Sequence, residues 1–326
     1  LRAILPLTDR GTHLPVPRVG DLPDPTPGPG EVLVRIEAAG LNHADLHQMR
    51  GTYPPPPGES DVPGLECAGR IVGEETPGLW QPGARVMALT GGGAHATLVA
   101  IPTGQLMPVP DNLTAIEAAA VPEAGLTAWT NLVVEGGLQA GESVLITGAT
   151  GGMGSFAVQL ARELGARVLA AGRDRDRLEQ LRDLGVQEIC IEGSGLAQQV
   201  REATGGRGVD LVFELVGGSG LNAHLGALRE GGRLVLIGLL GGRNQEVNLG
   251  MILSRRLRIV GSVLRPRSRL EKAHLVSDFA AFALPRLKDG RLRPVVDRVL
   301  PFERAPEGYK MLETGGVFGK IVFDMG

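Results

Sequence analysis

Four glycines, Gly148, Gly151, Gly152 and Gly154, interrupt an apolar run in VLITGATGGMGSFAVQLAREL, and a helical pattern opens directly after them. A backbone that must turn tightly and approach a pyrophosphate has no room for Cβ atoms. The free N–H groups at the start of the following helix then meet the anion. The pattern departs from GxGxxG at its first position, where Ala149 stands, giving AxGGxG. Its context compensates, because the strand-like SVLIT precedes it and a second apolar strand, RVLAAG, closes the unit about 20 residues on. Past that second strand an NAD site places an acid for the ribose hydroxyls. Here Gly172 is followed by Arg173, with Arg175 and Arg177 nearby, and a guanidinium suits a 2′-phosphate. The expected cofactor is therefore NADP(H).

Two further loops carry the same signature. Gly217 and Gly218 follow the strand VDLVFEL, and Gly238, Leu239, Leu240, Gly241 and Gly242 follow RLVLIG. Both lie at the carboxyl ends of expected parallel strands, where ligands of open α/β sheets bind. A metal reading is weaker. His43, Asp45 and His47 would share a helix face, but no third ligand is signposted, and a polar helix start explains them.

The elements that must position these residues divide the chain. Residues 1–120 are rich in Pro, Gly and short strand-like runs such as EVLVRIEA, CAGRIVG, ARVMAL and HATLVAI, which predicts a β-rich, partly open barrel-like domain. Residues 121–264 alternate strands with helical patterns, including DRLEQLRDLG, which predicts βαβ units and a doubly wound parallel sheet covered on both faces. Residues 265–326 hold a helical period from Leu270 to Leu287 and end on KIVFD; this tail is too short to be a domain and is expected to complete the first one. The fold class is α/β.

Composition narrows the function classes. At 326 residues the chain can bury a large core without staples, and 43% hydrophobic with 21% charged residues is ordinary for a globular protein. No stretch of about 18 apolar residues occurs, so no membrane span is expected. A net charge of −3 and only 2 Trp, 2 Tyr and 7 Phe argue against a nucleic-acid binder. Cys67 and Cys190 stand alone, which disfavours both a disulfide framework and a cysteine-rich zinc site and fits a cytoplasmic location.

With GLNHADLHQMRGTYPPPPG, VPGLECAG, VPEAGLTAWTNL, LIGLLGG and GKIVF in this order, the chain resembles the medium-chain dehydrogenase/reductases, in their zinc-independent quinone oxidoreductase, or zeta-crystallin-like, branch. The resemblance implies a GroES-like catalytic domain and a Rossmann cofactor domain. It places Asn42, Leu65 and Glu123 at the positions that ligate zinc in metal-dependent relatives, and Leu65 cannot ligate at all. The relatives' second site, four closely spaced cysteines, has no counterpart, so no metal is expected. It also implies Asn42 and Tyr53 as polar groups at the substrate, Asp45 as a nearby buried acid, and Thr127, Met153 and Lys320 as cofactor contacts. The loop at 76–95 would shape the substrate mouth.

The leading expectation is NADPH-dependent reduction of a quinone, or another enone-like small molecule, by direct hydride transfer. One alternative is a 2-enoyl thioester reductase with Tyr53 as proton donor. Another is a non-catalytic NADPH-binding protein. The apolar LRIVGSVL at 257–264 would form a sheet edge, through which relatives dimerise, so a homodimer is expected.

Overall fold

The structure is a computed structural model that describes residues 1–8, 15–73 and 80–326. Two compact units result, Leu1–Leu126 together with Arg265–Gly326, and Thr127–Leu264. Among the described residues no helix is long and apolar enough to cross a membrane. Cys67 and Cys190 are buried free thiols.

The first unit begins with the antiparallel pair β1 (Arg2–Thr8) and β2 (Pro15–Asp21). Its main sheet is built from β3 (Glu31–Leu41), β4 (Glu66–Val72), β5 (Arg85–Leu89), β6 (Leu98–Pro102) and β7 (Leu106–Pro108). Strand β3 is the hub. Its first half pairs with β6, and Val32, Val34 and Ile36 alternate into the core as a half-buried strand requires. The β3–β4 register then shifts between Ile36 and Ala38, and from Ala38 to Leu41 every residue is buried. The chain thus leaves β3 in a fully enclosed position, directly before Asn42.

The second unit is a six-stranded parallel sheet: β8 (Ser143–Ile146), β9 (Arg167–Gly172), β10 (Glu188–Ile191), β11 (Val209–Glu214), β12 (Leu228–Leu236) and β13 (Arg258–Gly261). The spatial order is β10-β9-β8-β11-β12-β13, so the direction of winding reverses between β8 and β11. That is the point at which open sheets of this kind bind ligands. All six residues of β11 are buried, the near-continuous apolar run expected of a strand covered on both faces. Leu145, Leu169, Val212 and Leu234 meet in one core cluster, each contributing roughly 2 kcal/mol by burial.

Three elements differ in length from the sequence expectation. DRLEQLRDLG forms a short helix, Arg175–Glu179, and a 3₁₀ turn, Arg182–Leu184, because Leu178, Leu181 and Leu184 are all buried at a spacing of three. RLVLIGLL leaves the sheet at Leu236, so Leu239 and Leu240 lie exposed in a loop. Only four residues of LRIVGSVL pair, although they do form the expected sheet edge.

The chain then returns to the first unit. Ser268 and Glu271 form a reciprocal cap on the helix Arg269–Lys288, and β14 (Val296–Pro301) and β15 (Lys320–Asp324) complete the main sheet. β15 lies antiparallel to β3 with Ile321 opposite Leu41. This register carries Lys320 to the level of Asn42.

Candidate functional site

The expected site residues form two sets, one in each unit. In the first unit Asn42 leaves β3 and caps the helix His43–Met49. Its amide is engaged at both ends: Nδ2 donates to Glu66 Oε1 at 3.0 Å, and Oδ1 accepts from Lys320 Nζ at 2.6 Å. Lys320 and Glu66 also pair directly, with 5% and 0% exposure. The second Glu66 oxygen accepts the Glu123 N–H at 2.9 Å. Lys320, expected among the cofactor contacts, thus stands with Asn42 in a buried ionic cluster.

Asp45 is fully buried and holds two backbone N–H groups, Asn42 at 2.8 Å and Gly64 at 2.9 Å. Its carboxylate fastens the helix start to the 62–66 segment. Buried His95 lies 3.9 Å away. Burial lowers its pKa, and in the neutral ring Nε2 donates to the Gly40 carbonyl at 3.1 Å while Nδ1 accepts the Tyr309 hydroxyl at 2.9 Å.

Tyr53 is half-buried, and its hydroxyl makes no hydrogen bond to the described residues. Only its backbone is tied down, by N–H donation to the His47 carbonyl at 3.2 Å and by Arg265 on its carbonyl. Burial and the Glu123 carboxylate raise the phenol's pKa, partly offset by the Arg265 guanidinium, whose carbon lies 5.3 Å from the ring centroid. A protonated, unengaged hydroxyl can donate to a substrate oxygen or carbon.

In the second unit the helix Gly152–Glu163 starts from Gly151, whose position is open: an added Cβ would find only the Gly148 carbonyl oxygen, at 3.6 Å. Gly154 is different. A Cβ there would fall 2.4 Å from the Gly148 carbonyl oxygen, so the close packing of helix on turn requires glycine. Met153 is half-buried on the first turn, and Thr127 is buried with its carbonyl accepting Asn131 Nδ2 at 2.7 Å. The free first-turn N–H groups and the open glycine surface fit a dinucleotide pyrophosphate.

Beside it, Gly217 has φ +63°, and Gly238 packs so that a Cβ would sit 2.6 Å from the Leu215 carbonyl oxygen. Gly172 ends β9, and Arg173 follows it exposed, with no ion pair or hydrogen bond to the described residues. Arg175 instead pairs with Glu179 at 3.8 Å and Arg177 with Asp174 at 3.5 Å. Of the three arginines, Arg173 is the one left to meet a phosphate.

The Gly217 loop rests on an acid. Glu214 Oε1 accepts the N–H groups of Val216 and Gly217 at 2.8 and 2.7 Å. Fully buried His224 sits between two carboxylates, Nδ1 in a bent contact 2.6 Å from Glu214 and Nε2 3.0 Å from Glu192. Burial opposes charging this ring, but donation to the Glu192 and Glu214 carboxylates and their negative charge outweigh it and push the pKa up to about 9 from 6.5. Folded-state stabilisation from this site is complete below pH 6.5 and is lost as pH rises through about 9, on the order of 3 kcal/mol. Calorimetric scans from pH 6.5 to 9.5 should show a fall in Tm that His224→Asn largely abolishes; parallel profiles would contradict it.

Glu66, Glu214, His224 and Arg265 were not singled out from the sequence. A signal existed for two of them, since Glu66 opens the apolar ECAGRIV and Glu214 interrupts VDLVFEL.

A zinc ion does not fit at the positions of Asn42, Leu65 and Glu123. Leu65 is an apolar core residue with 1% exposure, and the Asn42 amide oxygen already holds an ammonium, which would repel a second cation. Among the described residues no three His, Cys, Asp or Glu side chains are grouped to hold a metal, His43, Asp45 and His47 included. The first four residues of the expected 76–95 mouth loop lie outside the described residues.

Comparison with known proteins is specific at the level of family. Residues 28–111 match the alcohol dehydrogenase GroES-like domain, and residues 152–278 match a family described as zinc-binding dehydrogenase. The chain is 36% identical over 299 residues to the spectinabilin polyketide synthase system protein NorB of Streptomyces orinoci, covering 91% of this chain but only 13% of that protein's length. It is 30% identical to the human synaptic vesicle membrane protein VAT-1 homolog, over 91% of this chain and 80% of the other. Among solved structures, the quinone oxidoreductase from Thermus thermophilus, also described in complex with NADPH, is 35% identical with a TM-score of 0.83 and full coverage of both chains.

Proposed function

The chain belongs to the medium-chain dehydrogenase/reductase superfamily, in its quinone-oxidoreductase-like branch, and from that premise we propose that it reduces quinones with NADPH without a metal. On this reading it is an oxidoreductase that binds NADP(H). The observation that carries the quinone reading is the polar set of the first unit, where the metal-ligand positions hold the apolar Leu65 and Asn42, whose amide is fixed by Lys320 and Glu66. The cofactor supplies a hydride from its reduced nicotinamide when bound.

The chain's own residues do the rest. The open turn at Gly148, Gly151 and Gly152 and the helix start at Met153 and Gly154 receive the pyrophosphate. Arg173 beside Gly172 receives the 2′-phosphate, with Arg175, two residues on, adding positive charge nearby. The loops at Gly217 and at Gly238, Leu239 and Leu240 flank the dinucleotide, and Thr127 packs near it. In the first unit Lys320 and Glu66 fix the Asn42 amide so that it presents one orientation to a substrate. Asp45 holds the segment that carries it. A quinone needs little more, because its reduced oxygens take protons from solvent.

A 2-enoyl thioester reductase is the second reading. The match to a segment of a polyketide synthase and the unengaged Tyr53 hydroxyl favour it. A non-catalytic NADPH-binding protein is the least supported reading, since the substrate-side polar groups are intact. NADPH oxidation should be followed against ortho- and para-quinones, enones and enoyl thioesters. Fastest turnover on quinones supports the proposal, fastest turnover on thioesters replaces it with the second reading, and no turnover favours the binding protein.

Cofactor choice has its own test. Calorimetric titration should show NADPH binding at least about tenfold tighter than NADH, and Arg173→Glu should close that gap. Equal affinities in the parent chain would remove the assignment of Arg173. We also propose a homodimer through the edge strand β13, where Ile259 is 43% exposed, and a cytoplasmic location. Light scattering that gives a monomer at micromolar concentration would count against the dimer.

A further inference from the structure

Besides Lys320, the first unit buries Lys272, which pairs with Glu59, and Arg265, to which the quinone reading gives no role. Arg265 is 4% exposed, and among the described residues no carboxylate lies within ion-pair distance of it. Its contacts are neutral: Nε donates to the Gly91 carbonyl at 2.7 Å, Nη1 to the Tyr53 carbonyl at 3.2 Å, and Nη2 to Gln48 Oε1 at 2.6 Å. A guanidinium has five N–H donors, so with three engaged, one on each Nη remains unmatched. Taking a full charge out of water is unfavourable, and two carbonyls, one amide and the face of Tyr53 return only part of that loss. The contrast with Lys320 is informative. That ammonium is in direct contact with Glu66, whereas the Arg265 guanidinium touches no carboxylate among the described residues, feels Asp45, Glu123 and Glu59 only beyond contact distance, and lies next to the Tyr53 phenol.

We propose that Arg265 is the oxyanion-receiving residue of the substrate site, acting together with the Tyr53 hydroxyl. The inference rests on the reductase reading and deepens it, because it names the substrate class as a conjugated carbonyl. When such a substrate accepts a hydride, one new bond to hydrogen forms, a π bond breaks, and its electron pair moves to the far carbonyl oxygen. That oxygen bears a full negative charge until a proton arrives from solvent or from Tyr53. The product at that stage is a hydroquinone monoanion from a quinone, or an enolate from an enone. A fixed, desolvated fork of N–H groups stabilises such a charge with no reorganisation at the moment of reaction.

The test uses the full-length protein without cofactor, so that it is independent of turnover. The probe is 4-nitrophenol, a stand-in for a reduced ring, whose ionisation is read directly by its absorbance. In the parent protein the bound phenol should ionise at a pH lower by at least about one unit than in Arg265→Met, because a cation beside an acid favours its charged form. Arg265→Lys, which keeps a charge with less risk to folding, should give an intermediate value. Competition by a hydroquinone should release the probe from the parent protein. Equal ionisation in parent and Arg265→Met, or no saturable binding to the parent, overturns the assignment, even if the quinone panel shows turnover. A positive ionisation result alongside no turnover on that panel would leave the oxyanion subsite standing and sink the reductase reading instead.

Discussion

Replacing Tyr53 by phenylalanine is expected to lower turnover of an enoyl thioester or enone by about 10²–10⁴-fold while leaving quinone turnover within about threefold. The two chemistries differ in where the last proton goes. A reduced quinone is protonated on oxygen, which water does quickly, whereas an enone must be protonated on carbon, where a positioned donor matters. The structure keeps that donor ready, with a hydroxyl that no described residue engages and a phenol that burial and Glu123 hold in its protonated form. Phenylalanine preserves the ring that packs against Arg265 at 5.3 Å and removes only the O–H. The measurement is the rate of NADPH oxidation on matched quinone and enone substrates in H₂O and D₂O. Equal losses on both would mean that Tyr53 serves substrate placement in general, and no loss on either would reduce it to an anchor of the YPPPPG turn.

How much of this was legible in the sequence depends on the range of the interactions. The parallel sheet could be read because its strands are short apolar runs and its helices carry a local period, so each element announces itself. The glycine turn could be read for the same reason: Gly154 answers to a contact with Gly148 only six positions away. The ionic cluster could not. Asn42, Glu66 and Lys320 come together only through the pairing of β3 with β4 on one side and with β15, near the far end of the sequence, on the other. Nothing local to Lys320 therefore pointed to a carboxylate partner. Arg265 was invisible in the same way, because its three acceptors lie more than 170 positions earlier in sequence. Element lengths depart from the sequence pattern where tertiary burial overrides local period, as at Leu181 and Leu184.

The same cluster yields the largest expected effect on stability. Glu66 is wholly buried and Lys320 almost so, and each draws its stability from the other. Lys320→Met would leave the Glu66 carboxylate with one amide and one backbone N–H, a buried charge without a counter-charge, at a cost of about 3–5 kcal/mol. At this chain length the corresponding fall in Tm is on the order of 10 °C. Adding Glu66→Gln to Lys320→Met removes the orphaned charge and should recover most of that loss, because a buried pair contributes little beyond the neutral residues that can replace it. The recovery should not extend to function. In the double variant Asn42 Oδ1 has lost its ammonium, so the amide is free to rotate, and KM for a quinone should rise while Tm returns. Differential scanning calorimetry and steady-state kinetics on the four proteins of the cycle separate these outcomes. If Lys320→Met is as stable as the parent, the pair is hydrated rather than buried. If the double variant regains both stability and KM, the cluster holds the fold together and does not position Asn42 for substrate.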